Sequence, residues 1–145
     1  MMAPTSGAKP NTQIVVKGGQ RKRVSVAEEF KSQGNSYFVS LEYTNAIDCY
    51  SKSLSALDDM ESNPELVQVA DPKEFRKLVL SNRAQSYLKL KAYSKAFVDA
   101  DGACKIDSGH IKSLGRRGTA CYYLDKFRDA KRDFSIALAV EPTNK

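Results

Sequence analysis

Lys31 and Asn35 stand four residues apart in a stretch of helical pattern, so they share one helix face, with Phe38 a turn further on. Lys112 and Arg116 repeat the four-residue spacing far downstream, and Asn82 lies between the two pairs. Asparagine is a poor mid-helix residue, because its amide competes with the backbone for hydrogen bonds. Two of them well inside helical patterns imply another use for their side chains. The chemistry open to such a set is charge-assisted hydrogen bonding, worth roughly 1.5–3 kcal/mol per bond. Bond-breaking chemistry has no comparable set. The sequence holds no nucleophile–base–orienter constellation, no Gly-rich phosphate loop and no cluster with metal-ligand spacing. His110 is the sole histidine, at a helix junction, where capping or plain exposure fits better than acid–base work. The chain reads as non-enzymatic, with no catalytic residues, no metal and no cofactor.

The elements that must carry these side chains are legible from a repeat. Residues 111–144 hold two amphipathic helical patterns split by a short turn near Asp125. Phe127, Ala130, Phe134 and Ala137 fall at steps of three and four, and Pro142 stops the second pattern. A shift of 34 residues lays Leu114, Gly118, Phe127, Ala130 and Phe134 over Leu80, Ala84, Tyr93, Ala96 and Ala100. A further shift of 50 reaches Phe30, Gly34, Tyr43, Ala46 and Tyr50. Each position stays small or apolar. A helix–turn–helix recurring at about 34 residues, with small residues where helices approach, resembles the tetratricopeptide repeat.

The resemblance implies an all-α fold, a right-handed superhelix of three helix–turn–helix repeats forming an α-α solenoid. The repeats fall at about 27–60, 77–110 and 111–144, within a domain of residues 26–145. The second repeat starts sixteen residues later than the period demands, so an insertion lies at about 59–76, where Asn63-Pro64 and Asp71-Pro72 are turn signals. A longer second helix, a loop and an early start to the third helix near Pro72 are expected. Leu80, Tyr87, Ala96, Leu114, Ala130 and Phe134 are expected in the core.

In this family the first helix of each repeat lines the inner face. Lys31, Asn35, Asn82, Lys112 and Arg116, in the strings KSQGN, SNRA and KSLGR, resemble the carboxylate clamp of cochaperone tetratricopeptide domains. The resemblance implies binding of the Glu-Glu-Val-Asp tail that ends the cytosolic 90-kDa and 70-kDa heat-shock chaperones. Lys31, Asn35 and Asn82 would hold the terminal carboxylate and Lys112 the aspartate side chain. Arg116 would reach a backbone carbonyl or an upstream acid, and Phe38 would pack on an aliphatic side chain. Arg117 shares a column with Arg83 and reads as structural; a slip of one residue would exchange the roles of Arg116 and Arg117. The alternative is a scaffold that takes an internal acidic peptide, or another protein of an assembly complex, in the same groove.

Charge and composition narrow the rest. The net charge of +6 sits mostly in residues 1–26, which hold Lys9, Lys17, Arg21, Lys22 and Arg23 and no acid, leaving 18 basic against 17 acidic residues. A folded part so balanced argues against nucleic-acid binding. Residues 1–25, rich in Gly, Pro, Ser, Thr and Lys, read as a disordered basic tail. Its Arg21, Lys22 and Arg23 fit a nuclear address and, with Ser25, a site for basic-directed kinases; both patterns are common by chance. Cys49, Cys104 and Cys121 show no pairing or metal spacing, which implies a reducing, cytoplasmic setting, and Cys121, in the column of Tyr37 and Tyr87, reads as core packing. No apolar run approaches the roughly 18 residues of a membrane span. A solvating helix usually follows the third repeat in this family, so a longer parent chain is expected.

Overall fold

The computed structural model describes residues 13–15 and 21–140. Six helices follow one another: α1 (Val26–Val39), α2 (Tyr43–Ser62), α3 (Pro72–Lys89), α4 (Tyr93–Ile106), α5 (Ile111–Tyr123) and α6 (Phe127–Val140). They pair as three hairpins stacked in sequence into a right-handed α-α solenoid, and α3 also touches α1 and α5 on either side of it along one wall. Ahead of them β1 (Gln13–Val15) pairs antiparallel with β2 (Arg21–Arg23), with Ile14 opposite Lys22. That ribbon stands where the sequence reads as disordered, and β-branched Ile14 and Val15 suit a strand. Residues 1–12 and 16–20 of that tail lie outside the described residues.

Local chemistry sets the helix ends. Ser25 begins α1 with a capping box: its Oγ accepts from the Glu28 amide at 3.0 Å, and the Glu28 carboxylate accepts from the Ser25 amide at 3.1 Å. Ser25 is fully buried, so its hydroxyl serves the cap and is not presented to a kinase. Asp71 caps α3 through the Glu74 amide, and Pro72 occupies the first turn, where its missing amide costs nothing. Inside every hairpin the first helix ends in the same two-bond motif, with Leu41, Lys91 and Asp125 in the left-handed region at φ 62–64°. The Glu42, Ala92 and Lys126 amides donate back to the carbonyls of Tyr37, Tyr87 and Cys121.

Packing within a hairpin follows the repeat columns. A Cβ on Gly34 would lie 2.7 Å from the Tyr50 ring, and one on Gly118 would lie 2.7 Å from the Phe134 ring. In the middle repeat the same two columns hold Ala84 and Ala100, both fully buried. Glycine thus makes room for an aromatic ring, and where the ring is absent alanine fills the gap. Ala96, Leu114 and Ala130 are buried, but Leu80 and Tyr87 are only partly so. Phe134, expected in the core, is 39% exposed. It lies on α6, whose outer side is covered by no further repeat among the described residues, so only its edge on Gly118 is shielded.

α2 runs on to Ser62 and α3 begins at Pro72, which confines the irregular part of the insertion to residues 63–71. This loop is packed down. Val69 is 6% exposed and joins Ala27, Ala56, Leu57 and Met60 in a core cluster flanked by Leu66 and Phe75. Gln68 Nε2 donates to the Leu66 carbonyl at 2.8 Å, and Arg76 bridges back to Asp58 at 2.8 Å.

Arginines lock one hairpin to the next. Arg83 of α3 grips Asp99 of α4 with two bonds of 2.7 and 2.8 Å and donates to Ser51 of the preceding repeat at 2.9 Å. Arg117 of α5 does the same with Asp133 of α6, at 2.8 Å twice, and with Asp101 of the preceding repeat at 2.9 Å. Residues 51 and 101 occupy one column, so the lock recurs with the repeat.

Candidate functional site

The inner wall formed by α1, α3 and α5 carries the polar residues singled out from the sequence. Asn35, Phe38, Asn82 and Arg116 line one cavity of about 280 Å³, together with Val39, Tyr50 and Gln85. Lys31 and Asn35 line an adjoining hollow of about 250 Å³ with Glu28, Ser32 and Phe75. Lys112 lines neither; it stands exposed on α5, one turn before Arg116.

Hydrogen bonding decides which atoms face the cavity. The Tyr50 hydroxyl, from α2 behind the wall, donates to Asn35 Oδ1 at 2.5 Å. Asn82 Nδ2 donates to the same oxygen at 3.3 Å. With its acceptor occupied twice, the Asn35 amide turns its NH2 group outward. Tyr50 is 1% exposed, and burial pushes its phenol pKa up to about 12, against the pull of the nearby Arg116 guanidinium. It therefore remains a proton donor at neutral pH.

Arg116 Nη1 donates to the Ser81 carbonyl and to Ser81 Oγ, both at 2.9 Å. That leaves Nη2 and Nε for a ligand. Burial lowers the guanidinium pKa, partly offset by Tyr50, but arginine stays charged at any physiological pH. Lys31 Nζ lies 5.4 Å from the Phe75 ring centroid, a cation–π contact contributed by the first turn of α3. Among the described residues, no carboxylate forms an ion pair with Lys31, Lys112 or Arg116. Their neighbours differ: Lys77, Arg83 and Arg117 are all paired with acids.

The wall therefore presents an ammonium, two amide NH2 groups, a guanidinium and a second ammonium. It is a donor surface with apolar patches from Phe38 and Val39. Donors of this kind suit carboxylate oxygens. Tyr50, Ser81, Gln85 and Phe75 escape a reading of the sequence. Tyr50 stands in a core column with Ala100 and Phe134, and its hydroxyl reaches Asn35 only once α2 has folded against α1. Among the described residues, no group of three His, Cys, Asp or Glu side chains is placed to hold a metal, and no helix is long and apolar enough to cross a membrane.

No protein-family model matches the chain. Individual proteins do. It is 35% identical over 117 residues to protein unc-45 homolog B of Xenopus laevis, covering 81% of this chain and 11% of that protein. It is 33% identical over 114 residues to human RNA polymerase II-associated protein 3, covering 79% of this chain and 15% of that protein. Rat serine/threonine-protein phosphatase 5 matches at 34% over 119 residues, 82% of this chain and 21% of that protein. The chain thus spans about a tenth to a fifth of the length of the curated relatives it matches. Among solved structures, the second TPR of Spaghetti (RPAP3) bound to the HSP90 peptide SRMEEVD superposes with a TM-score of 0.66 at 33% identity, covering 79% of this chain and 92% of that one. The second TPR domain of human RPAP3, in complex with the HSP70 peptide SGPTIEEVD, gives a TM-score of 0.66 at 34% identity, over 83% and 87% of the two chains. The repeat columns, the six-helix solenoid and these matches agree: the chain belongs to the tetratricopeptide-repeat family.

Proposed function

We propose that this chain is a cochaperone-type interaction module that binds the acidic Glu-Glu-Val-Asp C-terminus of cytosolic 90-kDa and 70-kDa heat-shock chaperones. The observation that carries this reading is the donor surface along α1, α3 and α5, in which the Asn35 amide is turned outward by Tyr50 and Asn82. A peptide ending in aspartate offers two carboxylates on one residue, and the groove offers two groups of donors. Lys31, Asn35 and Asn82 receive the terminal carboxylate, and Lys112 the aspartate side chain. Arg116 takes a backbone carbonyl or an upstream acid. Phe38, with Val39 beside it, packs on an aliphatic side chain of the ligand. The RPAP3 domains bound to SRMEEVD and SGPTIEEVD hold peptides with this same ending, which supports the assignment. The module works without catalysis and in the cytoplasm, where such chaperones are found.

Ordering a flexible tail offsets much of the gain from these bonds, so micromolar affinity, about −8 kcal/mol, is expected. Calorimetric titration with the SRMEEVD peptide tests the assignment. Lys112 is exposed, so Lys112→Ala should leave the melting temperature unchanged and weaken binding about tenfold, or ~1.4 kcal/mol. Lys31→Ala should act likewise from α1. Affinities equal to wild type in both variants would remove the ammonium groups from the site.

A further inference from the structure

Arg116 reaches the groove from a position fixed behind it. Both hydrogens of its Nη1 are taken by Ser81 of α3, one by the carbonyl and one by Oγ, each at 2.9 Å. The Ser113 hydroxyl donates to the same Ser81 Oγ at 3.0 Å, and His110 Nδ1 lies 2.6 Å from Ser113 Oγ. Arg116 and Ser113 sit three apart on α5, so one oxygen of α3 receives two donors from one face of α5. Ser81 and Ser113 are 1% and 0% exposed, which denies water the chance to replace either hydroxyl. A buried acceptor held by two donors keeps one rotamer.

Charge agrees with this arrangement. Burial, then Lys77, then Arg116 hold the His110 pKa below its ordinary value, while Asp107 and Glu74 oppose them. The imidazole is therefore neutral near pH 7 and sets no second charge against the guanidinium.

We infer that Ser81, supported by Ser113 and His110, is the positioning residue for Arg116, holding its guanidinium so that Nη2 and Nε point into the peptide groove. The inference rests on the reading of the groove given above. Without the Ser81 hydroxyl one Nη1 hydrogen loses its partner and the side chain gains rotamers that turn away from the cavity. The backbone carbonyl still holds the other hydrogen, so the effect is a partial loss.

Two measurements on the whole chain test this. In calorimetry with the SRMEEVD peptide, Ser81→Ala should weaken binding about fivefold, less than the full loss of a hydrogen bond to a charged group because the Ser81 carbonyl still holds Nη1. In an Arg116→Ala background the same substitution should change nothing further, because the group it positions is gone. In NMR of the free chain, the Arg116 Nε–H signal should be sharp in the wild type and broadened or lost in Ser81→Ala. An equal loss of affinity in both backgrounds would mean that Ser81 acts through general packing, and would overturn the inference. So would an Arg116 signal unchanged by Ser81→Ala. A wild-type chain that failed to bind the peptide would instead overturn the groove reading, while the Arg116 signal would still decide whether Ser81 positions it.

Discussion

Asn35 owes its role to a partner from another helix. An exposed asparagine amide is free to rotate by half a turn and offer either end to a ligand. Here the Tyr50 hydroxyl and the Asn82 amide both hold its oxygen, so only the NH2 end faces the groove. Tyr50→Phe keeps the ring that packs on Gly34 and removes only that hydroxyl. The fold should persist, and affinity for an acidic C-terminal peptide should fall about threefold to tenfold, the range of one hydrogen bond. Calorimetry beside a thermal melt checks both halves; an unchanged affinity would mean that Asn35 is oriented without Tyr50. That Lys31 shares a helix face with Asn35, and Lys112 with Arg116, was legible in the sequence, because spacing of four on a helix is a statement about one face. Tyr50 and Ser81 were not. Their contacts with Asn35 and Arg116 cross between helices, fifteen and thirty-five residues apart, and no local pattern encodes them.

The hairpin is the element that sets the groove's shape, and its two ends respond to substitution in opposite directions. Gly34→Ala places a methyl 2.7 Å from the buried Tyr50 ring, which has no room to retreat, so destabilisation of about 1–3 kcal/mol is expected. Gly118→Ala meets Phe134 at the same distance, but that ring is 39% exposed and able to swing outward, so its cost should be smaller. At the turn, Lys91 holds φ 62°, a conformation that strains any residue with a Cβ. Lys91→Gly should therefore stabilise the chain, by up to about 1 kcal/mol. Denaturant unfolding of the three variants reads the order directly, and equal losses at Gly34 and Gly118 would contradict it. Helix existence and pairing were legible in the columns, down to the lengthened α2 and the early start of α3. The burial of Val69 by the inserted loop was not, because residues 63–71 fit no repeat column. Nor was the exposure of Phe134, since a column records what neighbouring repeats bury and α6 has a neighbour on one side only.

Across the whole molecule, two adjacent arginines face opposite ways. Arg117 grips Asp133, which is fully buried, and ties α5 and α6 to α4 through Asp101. Arg116 points the other way, into the groove. Arg117→Ala should cost about 3–5 kcal/mol, because it leaves the Asp133 carboxylate buried with only Arg132 at 3.7 Å as a remaining cation. Arg116→Ala, which loses only its two bonds to Ser81, should cost less stability than Arg117→Ala and weaken peptide binding. Adjacent residues of one type are indistinguishable by composition; the shared column of Arg83 and Arg117 is what separates them in the sequence. Repetition thus gives the second and third repeats the same lock, while the donors of the groove stand at positions that vary between repeats.

The central claim is that the groove reads a free chain terminus, with Asn35, Asn82 and Lys31 closed around its carboxylate. Calorimetric titration of the whole chain with two SRMEEVD peptides, one ending in the free acid and one amidated at the C-terminus, tests it most directly. Amidation removes one negative charge and leaves the outward NH2 group of Asn35, and the second Nδ2 hydrogen of Asn82, facing another donor. Binding of the free acid in the micromolar range and a loss of at least about tenfold, ~1.4 kcal/mol, on amidation is the expected result. Equal affinity for the two peptides would contradict the claim and leave the groove as a site for acidic segments within a chain.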